Sequence, residues 1–310
     1  MKIVENRVKF LIAPIVIIVL GIILGIVHGG FNFDVEFMGG TRMQVELKQE
    51  FNNDEVAKLI QDKTGASAKV QKSGNANTQA VIKVQATENA DETKVGVMNA
   101  LKEKYGISDE QLISSSTASA SFGEETQRKA LLYTLLAIIC ILIYIAVRFE
   151  WKSAVMAVIA LAINVFVMAA VYAITNIPLN TTFIAAMLTV IGYSINNTIV
   201  IFDRIRENMK TRKKGVTITE TVNSAIAETM GRTINSTITT LITIVLIYIL
   251  GVAAIKEFAL PLIIGIIAGA YTSIFIASSF WAAWKESELK ARAEAAAERR
   301  ASKKDKKDKK

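Results

Sequence analysis

Residues 153–202 read SAVMAVIALAINVFVMAAVYAITNIPLNTTFIAAMLTVIGYSINNTIVIF and contain no Asp, Glu, Lys or Arg over 50 residues. The hydrocarbon core of a bilayer is roughly 30 Å thick, and an α-helix needs about 20 apolar residues to cross it. The run is therefore long enough for two membrane helices. Pro178 lies near its middle, in the turn-rich stretch 175–180, and has no backbone N–H to donate. We predict one span before this stretch and one after it.

The same charge-free pattern occurs in four other parts of the chain. Together with 153–202, the runs 10–33, 130–147, 233–255 and 258–284 include 142 of the 310 residues. The sequence therefore predicts a polytopic α-helical membrane protein with six spans, at 10–28, 130–148, 153–175, 180–202, 234–255 and 258–284. A short turn near Lys256 and Glu257 is expected to separate the last two. The first run exceeds the apolar core of a signal peptide and lacks a small-x-small site, so it is expected to be a retained anchor.

The charges are unevenly distributed along the chain. The net charge is +8, but residues 29–129 carry −3, while the segments 1–9, 148–152, 203–232 and 285–310 together carry +11. Basic loops lie on the cytoplasmic side of membrane proteins. We therefore predict that both termini are cytoplasmic and that residues 29–129 form an extracytoplasmic domain. The positive net charge is then explained by the orientation of the chain in the membrane and does not indicate a nucleic-acid partner.

The segment 29–129 is polar enough to fold in water. Strand-like alternation at 43–47, 68–71, 80–84 and 112–120, together with helical patterns at 53–64 and 91–105, gives the order β-α-β-β-α-β. This order is the signature of an α+β ferredoxin-like unit. Its sequence shows no nucleophile–base pair and no metal-ligand spacing, and the single Cys of the chain excludes an internal disulfide framework. We therefore predict that the protein is not an enzyme and needs no metal or cofactor.

Polar residues enter two of the predicted spans. In the fourth span, small and polar residues recur at helical spacing, which places them on one face: Thr182, Ala185, Thr189, Gly192, Asn196 and Asp203. Asn197 lies one step around the helix. The fifth span begins with Arg232, which seven hydroxyl or amide residues follow, Thr240 among them. This pattern indicates either a functional interior face or polar packing between helices.

Three motifs resemble those of the SecD/SecF family of bacterial protein export. The stretch 192–208, GYSINNTIVIFDRIREN, resembles the fourth-span signature of SecF, and GRTINS at 231–236 resembles its fifth-span start. EFMGGT at 36–41 is similar to the family's D-F-x-G-G motif, with Glu36 in place of Asp. In this motif Glu36, Phe37, Gly39 and Gly40 are expected to have structural roles, as is Gly192 in the signature.

The resemblance implies a half-sized member of the resistance–nodulation–division superfamily in the bacterial cytoplasmic membrane. It implies SecD as partner, the SecY-channel complex beside it, exported polypeptide chains as clients, and use of the proton gradient. The implied ion pathway includes Asn196, Asn197, Arg232, Asp203 and Thr240. Membrane lipid is expected to surround the six spans.

Asn197 departs from the family pattern, which has a membrane-embedded Asp at this position that pairs functionally with the arginine corresponding to Arg232. A carboxylate can take up and release a proton, whereas an amide can only donate and accept hydrogen bonds. Three explanations stay open: SecD supplies the titrating carboxylate, the complex couples to another ion, or the change is engineered. Asp203 is no simple substitute, because it is predicted at the cytoplasmic edge.

Two rival functions are a half of a small-molecule or lipid transporter and a structural subunit without ion coupling. The tail 285–310 is rich in Ala, Glu and Arg and ends in KKDKKDKK. This composition suits a helix that becomes disordered near its end. Orientation and solubility, contact with anionic lipid, and contact with ribosomal RNA are the readings left open for this tail.

Overall fold

The computed structural model describes residues 2–74, 77–85, 90–213 and 215–308. The elements in chain order are α1 Arg7–Val27, α2 Val35–Met38, β1 Gly40–Glu46, α3 Asn53–Thr64, β2 Ala68–Ser73, β3 Gln79–Val84, α4 Ala90–Tyr105, β4 Leu112–Ala118, α5 Ala120–Arg148, α6 Trp151–Thr175, α7 Thr181–Lys210, α8 Ile218–Leu250, α9 Ala253–Tyr271 and α10 Ser278–Asp308. A π-helical turn, Thr272–Ala277, joins α9 to α10. Among the described residues, six helical segments are long and apolar enough to cross a membrane: α1, α5, α6, α7, α8 and the continuous Ala254–Ala295. The prediction of a six-span α-helical membrane protein is confirmed.

The chain forms two compact units. The sheet unit comprises residues 31–134 and 176–184, and the membrane unit comprises the rest. In the sheet unit the four strands pair antiparallel in the order β2-β3-β1-β4. Each helix of the β-α-β-β-α-β sequence thus connects strands that are not neighbours, as in a ferredoxin-like fold. The predicted fold class of this segment is confirmed.

The core of the sheet unit follows from the alternation along β1. Met43 and Val45 are fully buried, while Gln44 and Glu46 between them are partly exposed. Helix α3 packs its apolar face, with Val56 and Ile60 buried, into the same core. The Asn52 side chain caps α3 by accepting from the Asp54 N–H at 2.9 Å, which is the bond that an N-terminal asparagine makes well. Local sequence and tertiary packing agree in this unit.

The ends of several spans differ from the predicted ones. The break between the last two spans was predicted near Lys256 and Glu257, and this is wrong: α8 ends at Leu250, and Gly251 and Val252 adopt extended backbone before α9. The predicted loop 203–232 is also mostly helical, because α7 continues to Lys210 and α8 starts at Ile218. Charged residues stop a membrane span, but they do not stop a helix. A 30-residue helix such as α7 is about 45 Å long and extends beyond the bilayer core.

Glycines allow close helix packing inside the membrane unit. A methyl group on Gly21 of α1 would lie 2.5 Å from the Ala170 Cβ atom of α6, which no real contact permits. Gly265 and Gly269 of α9 face α6 and α7 in the same way, and a Cβ atom on Gly269 would collide with the Ser194 hydroxyl. Membrane helices pack through small residues because lipid gives them no hydrophobic driving force. Gly21, Gly265 and Gly269 are therefore contact points between helices.

The N-terminal and C-terminal segments of the chain have further contacts. Ile3 and Val4 are buried, and both of their N–H groups donate to Asn223 Oδ1 of α8, at 3.0 and 3.1 Å. Asn223 Nδ2 also donates to the Glu5 carboxylate at 2.8 Å, which lowers the pKa of that carboxyl. In the C-terminal segment, α10 stays helical to Asp308, further than its composition predicts. Alternating Glu and basic residues form i,i+4 ion pairs there, such as Glu288 with Arg292, which support an exposed helix.

Candidate functional site

The first turn of α7 is held by a carboxylate from the 36–41 motif. Oε2 of Glu36 accepts from the backbone N–H of Thr181 at 2.8 Å and from its hydroxyl at 2.5 Å. Asn180 Oδ1 accepts in addition from the Phe183 N–H at 2.9 Å. The first N–H groups of a helix have no partner within the helix and carry partial positive charge, so an anion stabilises them. Glu36 therefore caps the first turn of α7.

The structure explains why the other positions of the 36–41 motif carry a phenylalanine and two glycines. Phe37 is buried, at 4% exposure. Gly39 and Gly40 have φ angles of +76° and +128°, which L side chains rarely adopt. Gly123 of α5 lies against the Phe37 carbonyl so closely that a Cβ atom would be 2.6 Å from that oxygen. The predicted structural roles of Phe37, Gly39 and Gly40 thus have a physical basis in the turn between α2 and β1.

The small and polar residues of α7 lie on an exposed face. Ala185, Thr189, Gly192 and Asn196 are all exposed, and a Cβ atom on Gly192 would meet nothing within 4 Å. Between residues 232 and 243 of α8, the exposed polar residues are Arg232, Asn235, Ser236, Thr239 and Thr243. We call these nine residues the polar face. Lipid offers such side chains no hydrogen-bond partners, so a face of this kind suits contact with another helix or with water.

Tyr193 joins α7 to α8 beside this face. Its hydroxyl lies 3.1 Å from the Ser236 carbonyl oxygen and 3.2 Å from the Thr240 hydroxyl oxygen. It can therefore donate to either oxygen. Thr240 in turn donates to the Ser236 carbonyl at 2.9 Å. Of the predicted site residues, Thr240 is thus in contact with the signature helix. Tyr193 itself is not among the predicted site residues, although its hydroxyl at the polar face is a usable signal.

Asn197 points away from the polar face and is buried, at 4% exposure. Its Nδ2 group has no hydrogen-bond partner among the described residues, and neither does the buried Thr233 hydroxyl of α8. Arg232, one residue before Thr233, is exposed, and no hydrogen bond joins it to Asn197 within the described chain. A buried amide without a partner costs free energy. The amide therefore marks a position whose interactions the described residues leave incomplete.

A buried polar network lies on the inner side of α7 and was not predicted. Asn164 of α6 donates to the Ser194 hydroxyl at 2.9 Å, and Ser273 donates to the Ser194 carbonyl at 3.2 Å. The hydroxyls of Ser273 and Thr198 are 2.8 Å apart. Ser273 belongs to the π-helical turn, a local irregularity that is frequent at functional sites. Single polar residues in separate apolar helices gave no sequence pattern, because their proximity depends on how three helices pack.

Asp203 lies near the turn between α5 and α6, at one end of the membrane unit. Its carboxylate is exposed and is 3.4 Å from the Arg148 guanidinium of α5. Asp203 therefore does not meet Asn197, Arg232 or Thr240 through any hydrogen bond of the described chain. The predicted site residues thus divide into a buried amide, an exposed polar face and a surface ion pair. Among the described residues there is no group of three His, Cys, Asp or Glu side chains that could hold a metal ion.

Comparison with known proteins decides the family. The model of the family described as "Protein export membrane protein SecD/SecF, C-terminal" matches residues 97–287. The chain belongs to the SecD/SecF family. The protein translocase subunit SecF of Alicyclobacillus acidocaldarius is 35% identical over 263 residues, which cover 84% of this chain and 85% of that relative. The translocase subunit SecDF of Bacillus subtilis is 36% identical over 92% of this chain and 38% of its own length.

A solved structure of the SecD/SecF family has the same fold. The crystal structure of SecDF from Thermus thermophilus, described as a translocon-associated membrane protein, superposes with a TM-score of 0.79 at 28% identity. The match covers 92% of this chain and 38% of SecDF. SecDF in its super-membrane-facing form gives a TM-score of 0.67. The chain is thus a multi-pass membrane protein that corresponds to one part of the longer SecDF proteins.

Proposed function

We propose that this chain is the SecF-type subunit of a protein-export complex and that a SecD-type half covers its polar face. The exposed Asn196, Asn235 and Arg232 carry the proposal, because amide and guanidinium groups at membrane depth require partners that lipid does not offer. The hydroxyls of the same face already donate to carbonyls of their own helices, as Thr189 and Thr243 do. The SecDF relatives combine both parts in one chain, and this chain spans 38% of the Bacillus subtilis protein. SecD is therefore the partner that we propose, because it belongs to the same family and would correspond to the part of the SecDF proteins that this chain does not match.

Co-purification from a mild detergent tests this pairing. Gly192→Trp places a large side chain on the polar face where a Cβ atom meets nothing within 4 Å, so the chain itself should still fold. We expect this variant to lose SecD. The matched control is Ile23→Trp on α1, at a side chain that is 51% exposed and outside the polar face. Retention of SecD by both variants, or loss by both, would contradict the proposed surface.

In this proposal the complex uses an ion gradient to complete the passage of exported chains delivered by the SecY-channel complex. The charge distribution supports an orientation with both termini in the cytoplasm and the sheet unit outside. The sheet unit then meets the emerging chain or the domains of SecD. Labelling of Lys58→Cys and Thr211→Cys with a membrane-impermeant thiol reagent in intact cells tests the orientation. Only the first, on α3, should react, and reaction of only the second would reverse it.

Proton coupling by this subunit would require a titratable group at position 197, and the amide of Asn197 cannot titrate. A carboxylate at this buried position could take up a proton, and its pKa would depend on burial and on a nearby cation. We therefore expect Asn197→Asp to change how strongly export depends on the proton gradient. Export is measured with and without an uncoupler, and Asn196→Asp on the exposed face is the control. If Asn197→Asp and the wild type respond alike, this subunit does not couple protons, and the structural-subunit function is favoured.

From the family resemblance we also propose that Arg232 contacts Asn197 in the working complex. Cysteines at positions 197 and 232 should then cross-link in the assembled complex with SecD. Position 249, where Ile249 is 60% exposed nearer the other end of α8, provides the control partner for position 197. Absence of the 197–232 cross-link in an export-competent complex would exclude this contact.

A further inference from the structure

A cavity of about 510 Å³ opens at the end of the membrane unit where α5 ends and α6 begins. Four cationic side chains line it: Arg148, Arg206, Lys210 and Lys285. Only one acidic side chain, Glu150, is among its lining residues. The lining of this cavity therefore carries an excess of positive charge.

Within the part of the chain that the structure describes, two of these cations have carboxylate partners and two do not. Lys285 lies 2.6 Å from Glu150, and Arg148 lies 3.4 Å from Asp203. Among the described residues, the hydrogen bond of Arg206 goes to the backbone carbonyl of Arg148, at 3.3 Å. Within the described chain, neither Arg206 nor Lys210 has a carboxylate oxygen within 4.0 Å. The cavity thus presents two cationic groups that an anion could bridge.

The base of the cavity is apolar and aromatic. Phe202 and Trp281 are buried at 3% and 5% exposure, and their rings pack edge to face with centroids 6.1 Å apart. Ile205 and Val147 extend the apolar lining. A free inorganic anion gains nothing from such a base. A molecule with an anionic head and an apolar body matches both parts of the lining.

All three tryptophans of the chain lie at this end of the bundle. Trp151 is 58% exposed and meets Trp284 edge to face with centroids 5.1 Å apart, and Trp281 lines the cavity. Tryptophan is enriched at the boundary between lipid and water. The cavity therefore lies at headgroup depth, on the side where the charge count also places the cytoplasmic leaflet and its anionic lipids.

We propose that this cavity binds the phosphate headgroup of an anionic phospholipid. Arg206 and Lys210 contact the phosphate, and Phe202 and Trp281 contact the glycerol and upper acyl region. The bound lipid joins the α5–α6 turn, α7 and α10 at this end of the bundle. The proposal concerns a lipid site and does not depend on the export function.

Contact quenching of Trp281 tests the site in the full chain. Trp151→Phe and Trp284→Phe leave Trp281 as the single tryptophan. The chain is reconstituted with phosphatidylglycerol or phosphatidylcholine, each brominated on its acyl chains. We expect stronger quenching by the brominated phosphatidylglycerol at equal mole fraction. Each cation near the surface contributes about fivefold in affinity, so Arg206→Gln with Lys210→Gln should reduce the preference roughly 25-fold.

The matched control removes two neighbouring cations outside the cavity, by Arg212→Gln with Lys213→Gln. This pair should keep the preference, and the melting temperature of each variant reports that the chain is folded. Equal losses in both pairs, or no preference in the wild type, would show diffuse surface charge and overturn the site. Competition by excess inorganic phosphate would identify a soluble phosphate ligand and overturn the lipid. Loss of quenching only in the complex with SecD would assign the cavity to the partner protein and likewise overturn it.

Discussion

Replacing Glu36 by Gln removes the charge that caps α7 while it keeps the size of the side chain. Oε2 of Glu36 accepts two bonds from Thr181, at 2.8 and 2.5 Å. Hydrogen bonds to a charged group contribute about 1.5–3 kcal/mol each when intact, and an anion at a helix N-terminus contributes about 0.3–1 kcal/mol. The glutamine oxygen still accepts as a neutral group. We therefore expect the local opening free energy at this turn to fall by about 1–2 kcal/mol.

Hydrogen exchange on peptides from residues 176–184 measures this change directly. A loss of 1–2 kcal/mol raises the exchange of the Thr181 amide by a factor of about 5–30. The Phe183 amide should change less, because Asn180 caps it separately. Glu36→Asp has the residue of the family motif but is one methylene shorter, and we expect an intermediate rate unless the backbone shifts towards Thr181.

The control for this experiment is Glu50→Gln, which removes an exposed carboxylate from the same unit. Its exchange at residues 176–184 should match the wild type. An unchanged Thr181 amide in Glu36→Gln would refute the capping argument. Equal acceleration in Glu36→Gln and Glu50→Gln would show that net charge, and not the bond to Thr181, controls this turn.

Three further predictions concern the membrane unit, and each is tested by measuring the melting temperature of the chain in detergent. Gly269→Ala should destabilise the chain by about 1–3 kcal/mol, because its methyl group collides with α6 and α7, whereas Gly192→Ala, facing open space, should have little effect. Tyr193→Phe should cost about 0.6 kcal/mol, the average for an interhelical hydrogen bond in a membrane, and no loss would contradict a bond between α7 and α8. The hydrogen bond from Asn223 lowers the pKa of Glu5 below the usual 4.5. The stabilisation that this carboxylate contributes is therefore complete above pH 4.5 and is lost as the pH falls through the lowered pKa. The difference in melting temperature between wild type and Glu5→Gln should shrink on acidification, and a constant difference would refute this prediction.

Much of the local structure could be predicted because its causes are local. The predicted helix 53–64 agrees with α3, whose start depends on the Asn52 cap and whose end depends on Gly65. The two strands predicted at 68–71 and 80–84 lie within β2 and β3. The span ends were predicted less well, because apolar content reports the membrane core, while the helix itself continues wherever its backbone bonds continue.

The candidate site shows the limit of the same reasoning. Helical spacing correctly placed the small and polar residues of α7 on one face, since this depends only on 3.6 residues per turn. It did not show that Asn197, one step around, is buried while Asn196 is exposed. That difference depends on which helices pack against α7, and no local pattern contains it.

The sequence by itself determined the six spans, the order of the strands and helices in the sheet unit, and the motifs of the SecD/SecF family. These follow from apolar length, alternation and turn residues, which act over a few neighbouring positions. Only the tertiary structure decided that Glu36 caps α7 across 145 positions of sequence, and that Ser194 and Ser273 share a buried network. Hydrogen bonds and close packing act over about 3 Å of space, so they appear only when the chain has brought distant segments together.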